Sequence, residues 1–569
     1  MGQLAPALRA YVPASLQVNV WKDLHGFFEE LAQRPLVAQP DLERWLRDLS
    51  ELEAVLNEEG AWRYIRMSLD TRDEEHSKRY QEFVTEVLPR AEEWTDELHR
   101  KLVASPFTSV LTGEGYSVLL RGIREQLRIF REANVPLQAK LRAMAQEYGT
   151  TIGAMSVTWK GVEITLPKAA AILESTDRLE RESIFRLIGA RRAVDRTKLD
   201  DLFDRMVADR HMVAVNAGFA NYRDYMYSAL GRFDHSPKDA QDFHESVEHE
   251  VLPVIERLER ERRDRLGMEI LRPWDLQVDV SGKPPIRPFT SGEQLADLAT
   301  NVFERLDPYF AECLRTMRAM GRLDLDSREG KAPGGYNYPL YETGAPFIFM
   351  NAVGTTDDVV TMLHEGGHAV HSFLTHSLPL NGFKSFPSEV AELASMSMEL
   401  LTMDHWHLIY ADPSELRRAK RDQLERVLSI LPWVATVDAF QHAVYTHPTW
   451  TAEERSSAWL ATHARFSGRI TDWSGMEAER AMLWQKQLHI FEVPFYYIEY
   501  AIAQLGAIGV WRNYKRDPQE AVQRYTEALK LGYTRTLPEI YAAAGIRFDL
   551  SRAYISELIG FVQDELDRL

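Results

Sequence analysis

Helical periodicity runs through most of this chain and restricts its fold class more than any other feature. From about residue 39 to 210, apolar residues recur at steps of three and four between charged ones, as in DLERWLRDLSELEAVLNEEGAW, residues 41–62. The same pattern returns from residue 355 onward. Each such segment has one apolar stripe to bury, and helical neighbours bury it best. The chain is therefore expected to be all-α in the main. Two interruptions read as β structure. SVTWKGVEITL, 156–166, alternates around Lys160-Gly161 and reads as a hairpin. Tyr336–Tyr341 and Pro346–Asn351, joined by ETGA, read as two short strands. Between them, RPWDLQVDVSGKPPIRPF, 272–289, holds four prolines and is denied regular helix. Ser291 is placed to cap the helix that follows.

At 569 residues the chain exceeds one average domain. A boundary near residue 195 would divide an N-terminal helical lobe, 1–194, from a second domain, 195–569. The net charge of −18 argues against general affinity for nucleic acid or an anionic membrane, which would both repel it. The charged run IERLERERRDRLG, 255–267, carries both signs and reads as a solvated helix face. The single cysteine, Cys313, precludes an internal disulfide and fits a reducing compartment. The N-terminal stretch lacks a signal-peptide pattern, and no run of 18 apolar residues occurs, so a cytoplasmic location without a membrane span is expected.

The chemistry concentrates in TMLHEGGHAVHSF, 361–373. Thr355 and Thr356 with Asp357 and Asp358 make a helix start, and the helix can run to about Thr375. On a wheel, His364, His368 and His371 share a narrow sector, while Val359, Met362, Ala369, Val370 and Phe373 lie opposite. His364 and His368, one turn apart, can converge on a single zinc, with Glu365 beside them as a general base rather than a ligand. Gly366 and Gly367 each cost about 1 kcal/mol against alanine inside a helix. Close approach of another backbone would offset that. His371, two turns from His364, belongs to an outer shell or to solvent.

A third ligand is expected in FPSEVAELASMSMELLTMD. Pro387 suits a helix start. Ser388, Glu389, Glu392, Ser395 and Glu399 then form one polar seam on an otherwise apolar helix. A carboxylate buried there needs a partner, and zinc would be one. Glu392 is central in the seam and is the choice, with Glu389 as its competitor or a plain surface acid. Glu399 could support a ligand histidine from behind. Three protein ligands leave one position for water, the mark of a catalytic site. Water there, its pKa lowered to about 7, would lose a proton to Glu365 and attack an amide carbonyl. An oxyanion donor is also wanted. HIFEVPFYYIEYAIAQLGA, 489–507, offers His489 and a helix started by Pro494, with Tyr496 and Tyr500 on one face and Tyr497 turned away. Composition alone makes such a helix core packing.

These motifs together resemble the oligoendopeptidase F and thimet oligopeptidase family of zinc metallopeptidases, and most closely its oligoendopeptidase F and Pz-peptidase branch. The resemblance is carried by APGGYNYPLYETGAPFIFMNAVGTTDDVVTMLHEGGHAVHSF, FPSEVAELASMSMELL, HIFEVPFYYIEYAIAQLG and LKLGYTRTLPEIYAAAGIRFDL, in that order. It implies a two-lobed helical oligopeptidase with a deep channel and a small β element beside the zinc helix. It also implies a zinc peptidase domain at 195–569, one zinc per chain, and short unstructured peptides as substrates. The metal ligands fall on His364, His368 and Glu392, and the base on Glu365. The transition-state donors fall on His489 and on Tyr496 or Tyr497. PFIFMN, before the zinc helix, would pair substrate backbone at an open sheet edge. The implied activity is a zinc endopeptidase. The alternatives are a helical zinc carboxypeptidase, which needs a cation for the substrate's C-terminus, and a catalytically dead peptide-binding protein. The intact motif residues speak against the last.

Overall fold

The computed structural model describes residues 9–569, and nearly all of its regular structure is helical. The exceptions fall where the period breaks. Strands β1 (Ser156–Trp159) and β2 (Val162–Thr165) form the expected antiparallel hairpin. Lys160 and Gly161 turn it with φ of 50° and 83°, the left-handed pair that a two-residue hairpin loop needs. A second, three-stranded sheet has β5 (Phe347–Ala352) at its centre, flanked by β3 (Leu323–Asp326) and β4 (Tyr336–Tyr338). β3 runs parallel to β5 and β4 antiparallel, with Asn337 opposite Ile348. The parallel strand LDLD was not legible in the sequence, being too short to show alternation.

This sheet also corrects the expectation of an open edge at PFIFMN. Both neighbours of that strand are present, so the edge strand is β4. The Lys331 amine, with its side chain buried, donates to Asp324 and Asp326 and to the Met350 carbonyl, and covers β5 beyond its pairing with β4.

The chain divides into two compact units, each discontinuous in sequence. One contains the residues up to Arg128, Arg287–Leu416 and Gly506–Phe548; the other contains Ile129–Ile286, Arg417–Leu505 and Asp549–Leu569. In the first, α1 (Gly292–Leu306), α3 (Ser388–Thr402) and α4 (Pro518–Lys530) pack on α2 (Thr356–Thr375), which carries the HExxH segment, and α5 (Leu537–Ala543) packs on α3 and α4. The helix Pro413–Thr446 contains a window of mean hydropathy 1.3, but 72% of that window is buried within the protein. Its apolarity therefore serves the core.

α2 starts where the sequence expects. Thr355 accepts from the Asp358 N–H and Asp358 reaches back to the Thr355 N–H, a complete capping box. Val359, Met362, Ala369 and Val370 are buried on one side. The paired glycines let α2 approach its neighbours closely. A Cβ on Gly367 would stand 2.7 Å from the Ser395 Cα and 2.8 Å from the Ala394 carbonyl oxygen, both backbone atoms of α3. A Cβ on Gly366 would meet the Phe303 ring of α1 at 2.6 Å. Gly367→Ala should cost about 1–3 kcal/mol by forcing the two backbones apart. By contrast Gly122, in the helix Tyr116–Ile129, has nothing within 4 Å of its Cβ position, and Gly122→Ala should stabilise by about 0.4–1 kcal/mol. Thermal unfolding of both variants checks this, and an unchanged midpoint for Gly367→Ala would contradict it.

Candidate metal centre

α2 and α3 bring His364, His368 and Glu392 together. One donor atom from each lies within 4.8 Å of the other two, the one such group among the described residues. Glu392 Oε2 stands 3.3 Å from His364 Nε2 and 3.9 Å from His368 Nε2. Donors held at about 2.0–2.2 Å in a tetrahedral zinc shell stand roughly 3.3–3.6 Å apart, so the three atoms fit that ion with little adjustment. The His364 ring has its other nitrogen occupied. His364 Nδ1 donates to Glu399 Oε1 at 2.7 Å. The lone pair on His364 Nε2 is thereby aimed at the common point, as the outer hydrogen bond of a metal ligand requires.

The electrostatics suit a cation. Burial opposes charge on His364, but its hydrogen bonds to Glu392 and Glu399 prevail and hold it above its usual range. Burial also opposes ionisation of Glu392, yet the two histidines bring its carboxyl down to about 2. His368, buried and next to His364, is pushed down to about 4. Two buried carboxylates that draw a proton onto the ring between them make a point of negative potential. A divalent ion satisfies that potential better than a proton does.

Glu365 follows His364 on α2 and is buried. Burial pushes its carboxyl up to about 7. Asn337 of β4 holds its main chain: the Asn337 side-chain amide donates to the Glu365 carbonyl at 3.1 Å. Sequence reasoning missed Asn337, since nothing in YNY marks it. Glu389, the competing ligand, lies outside the donor group and is buried rather than a surface acid. His371 is also not solvent-facing. It is fully buried and stacked on Phe386 at 3.7 Å between ring centres, and burial pushes it down to about 3.

The second unit holds His489 and its tyrosines. Here the chain departs from expectation: helix begins at Ile498, not Pro494, and Tyr496 and Tyr497 sit in the turn before it. Phe495 is the cause. It is wholly buried with φ of 67°, its N–H donates to Gln441 and its carbonyl accepts from Arg232. Tertiary anchoring overrides the local helical preference. A donor chain then fixes the imidazole. The Trp433 indole, which can only donate, bonds Gln487 Oε1 at 3.1 Å, so the Gln487 amide nitrogen faces His489 Nδ1 at 2.7 Å. Nδ1 accepts, and the ring proton is on Nε2, 3.4 Å from the Tyr500 hydroxyl. Tyr497 is buried, while Tyr496 and Tyr500 are half-buried.

Comparison with known proteins gives the family. The description "Peptidase family M3" matches residues 171–559, and "Peptidase M3 N-terminal domain" matches residues 15–130. The chain belongs to peptidase family M3. An oligoendopeptidase F homolog of Lactococcus lactis is 22% identical over 346 residues, 58% of this chain and 55% of that protein. Oligopeptidase PepF of Bacillus subtilis is 21% identical over 441 residues, 74% of this chain and 64% of that protein. These matches span less than two thirds of each relative's own length. Among solved structures, Pz peptidase A with an inhibitor has a TM-score of 0.89 at 26% identity, covering 99% of both chains. The oligoendopeptidase F of Enterococcus faecium has a TM-score of 0.65 at 16% identity, covering 96% of this chain and 97% of that one, a likeness of fold.

If Glu399 orients His364 toward a metal, Glu399→Gln should weaken zinc binding about 10–100-fold while leaving the fold intact. Competition against a chelator of known affinity measures this. Unchanged affinity would contradict the role given to Glu399.

Proposed function

We propose that this chain is a zinc-dependent endopeptidase that hydrolyses internal bonds of short, unstructured peptides, with His364, His368 and Glu392 as the ligands of one zinc per chain. The observation that carries the reading is the convergence of three donor atoms beside a buried Glu365. Membership of peptidase family M3 supports it independently. Zinc bound there would supply Lewis acidity to the scissile carbonyl and lower the pKa of attacking water.

Glu365 accepts the proton of that water and passes it to the leaving amine. Asn337 fixes the main chain from which that carboxylate projects. The His489 Nε2–H is given the role of donor to the tetrahedral oxygen, and Tyr496 shares it. Tyr497, buried with its ring 4.8 Å from that of His489, is better suited to position the imidazole. The single buried cysteine supports a reducing compartment such as the cytoplasm.

The test uses an internally quenched peptide blocked at both ends, with products mapped by mass. Internal cleavage should stop with a chelator and return with zinc. Glu365→Gln should retain zinc and lose at least about 100-fold in turnover. Cleavage that survives chelation, full turnover in Glu365→Gln, or cleavage only of peptides with a free C-terminus would overturn the reading.

A further inference from the structure

The second unit contains a cavity of about 290 Å³ that the proposed mechanism does not use. One wall is a face of the helix Arg178–Val194, where Phe185, Ile188 and Arg192 follow at helical spacing. Trp433 and Trp473 bring two more aromatic rings, and Lys486 brings a second cation. Three features set this cavity apart from a packing defect.

First, Phe185, Trp433 and Trp473 are only half-buried, so large apolar faces stay in contact with solvent inside a concavity. Second, both cations are uncompensated. Neither Arg192 nor Lys486 has an acid partner among the described residues, and Lys486 lies 5.0 Å from the centre of the Trp433 ring. Lys486 is an exposed residue in the cavity lining. Third, the one acid in the lining, Glu479, makes no ion pair with either cation. His463 accepts from Arg480 on Nδ1 and is held neutral by burial and that arginine, and Glu479 sits against Gly189.

A volume near the lower end of ligand pockets, about 300 Å³, suits one residue rather than a peptide. Aromatic walls select an apolar side chain, and paired cations select a carboxylate, which guanidinium binds in a bidentate fork. We propose that this cavity receives an apolar side chain joined to a free α-carboxylate. Such a group is the C-terminal residue of a peptide substrate or a released, N-blocked product; as a substrate subsite it rests on the peptidase reading. The cavity shares Trp433 with the donor chain to His489, so its occupant borders that cluster.

The test is calorimetric binding of N-acetylphenylalanine and of its amide to the zinc-loaded protein. The acid should bind at least about tenfold tighter than the amide, and Lys486→Met should remove most of that difference. Ile188→Trp, which fills the cavity, should abolish binding of both while leaving zinc content unchanged. A second arm compares peptides ending in free or amidated phenylalanine. A lower KM for the free acid that disappears in Lys486→Met assigns the site to substrate. Equal KM values with inhibition by the acid assign it to product. Equal binding of acid and amide, or acid binding unaltered in Lys486→Met, would overturn the proposal. Binding without any peptidase activity would instead sink the functional reading and leave the cavity's specificity standing.

Discussion

A buried carboxylate facing two imidazoles is the constraint around which the first unit is arranged. Glu392 lies on α3, a helix buried on nearly every side, where an unpaired charge would be prohibitively costly. Its partners come from α2, which must approach closely enough for donor atoms to converge. Gly366 and Gly367 permit that approach, one against an aromatic ring of α1 and the other against the backbone of α3. The helical propensity these glycines forfeit is the cost of the geometry. Tyr525 fastens the arrangement from α4 by donating to the Ala394 carbonyl at 2.7 Å, at the same level as Gly367.

The same economy governs the acids around the motif. Four carboxylates occur near it, and each is given a different character by its surroundings. Glu392 is kept ionised by histidines, Glu399 is tied to His364, and Glu365 is pushed toward neutrality by burial. Glu389 lies outside the donor group. Position on a helix decides which of them can meet the histidines, and burial decides how each responds to a proton.

Much of this was legible in the sequence because it is local. The capping box of Thr355 and Asp358, the register of the histidines, the polar seam of α3 and the Lys160-Gly161 hairpin all follow from periods and turn chemistry. What escaped depends on distant partners. Asn337 meets Glu365 only because a three-residue strand pairs beside α2. The turn at Phe495 is imposed by Gln441 and Arg232, remote in the chain. His371 shares a face with the ligand histidines, yet Phe386 from the following loop covers it. The pairing of Arg192 with Lys486 joins segments nearly 300 residues apart, and no pattern in either one announces it.

The account's central claim is that α2 and α3 together make one cation site with Glu392 as its third ligand. Metal analysis after dialysis tests this most directly, on wild type, Glu392→Ala and His371→Ala in parallel. Wild type and His371→Ala should each hold about one zinc per chain, and Glu392→Ala should hold essentially none. A full equivalent of zinc in Glu392→Ala, or its loss in a folded His371→Ala, would contradict the site as drawn.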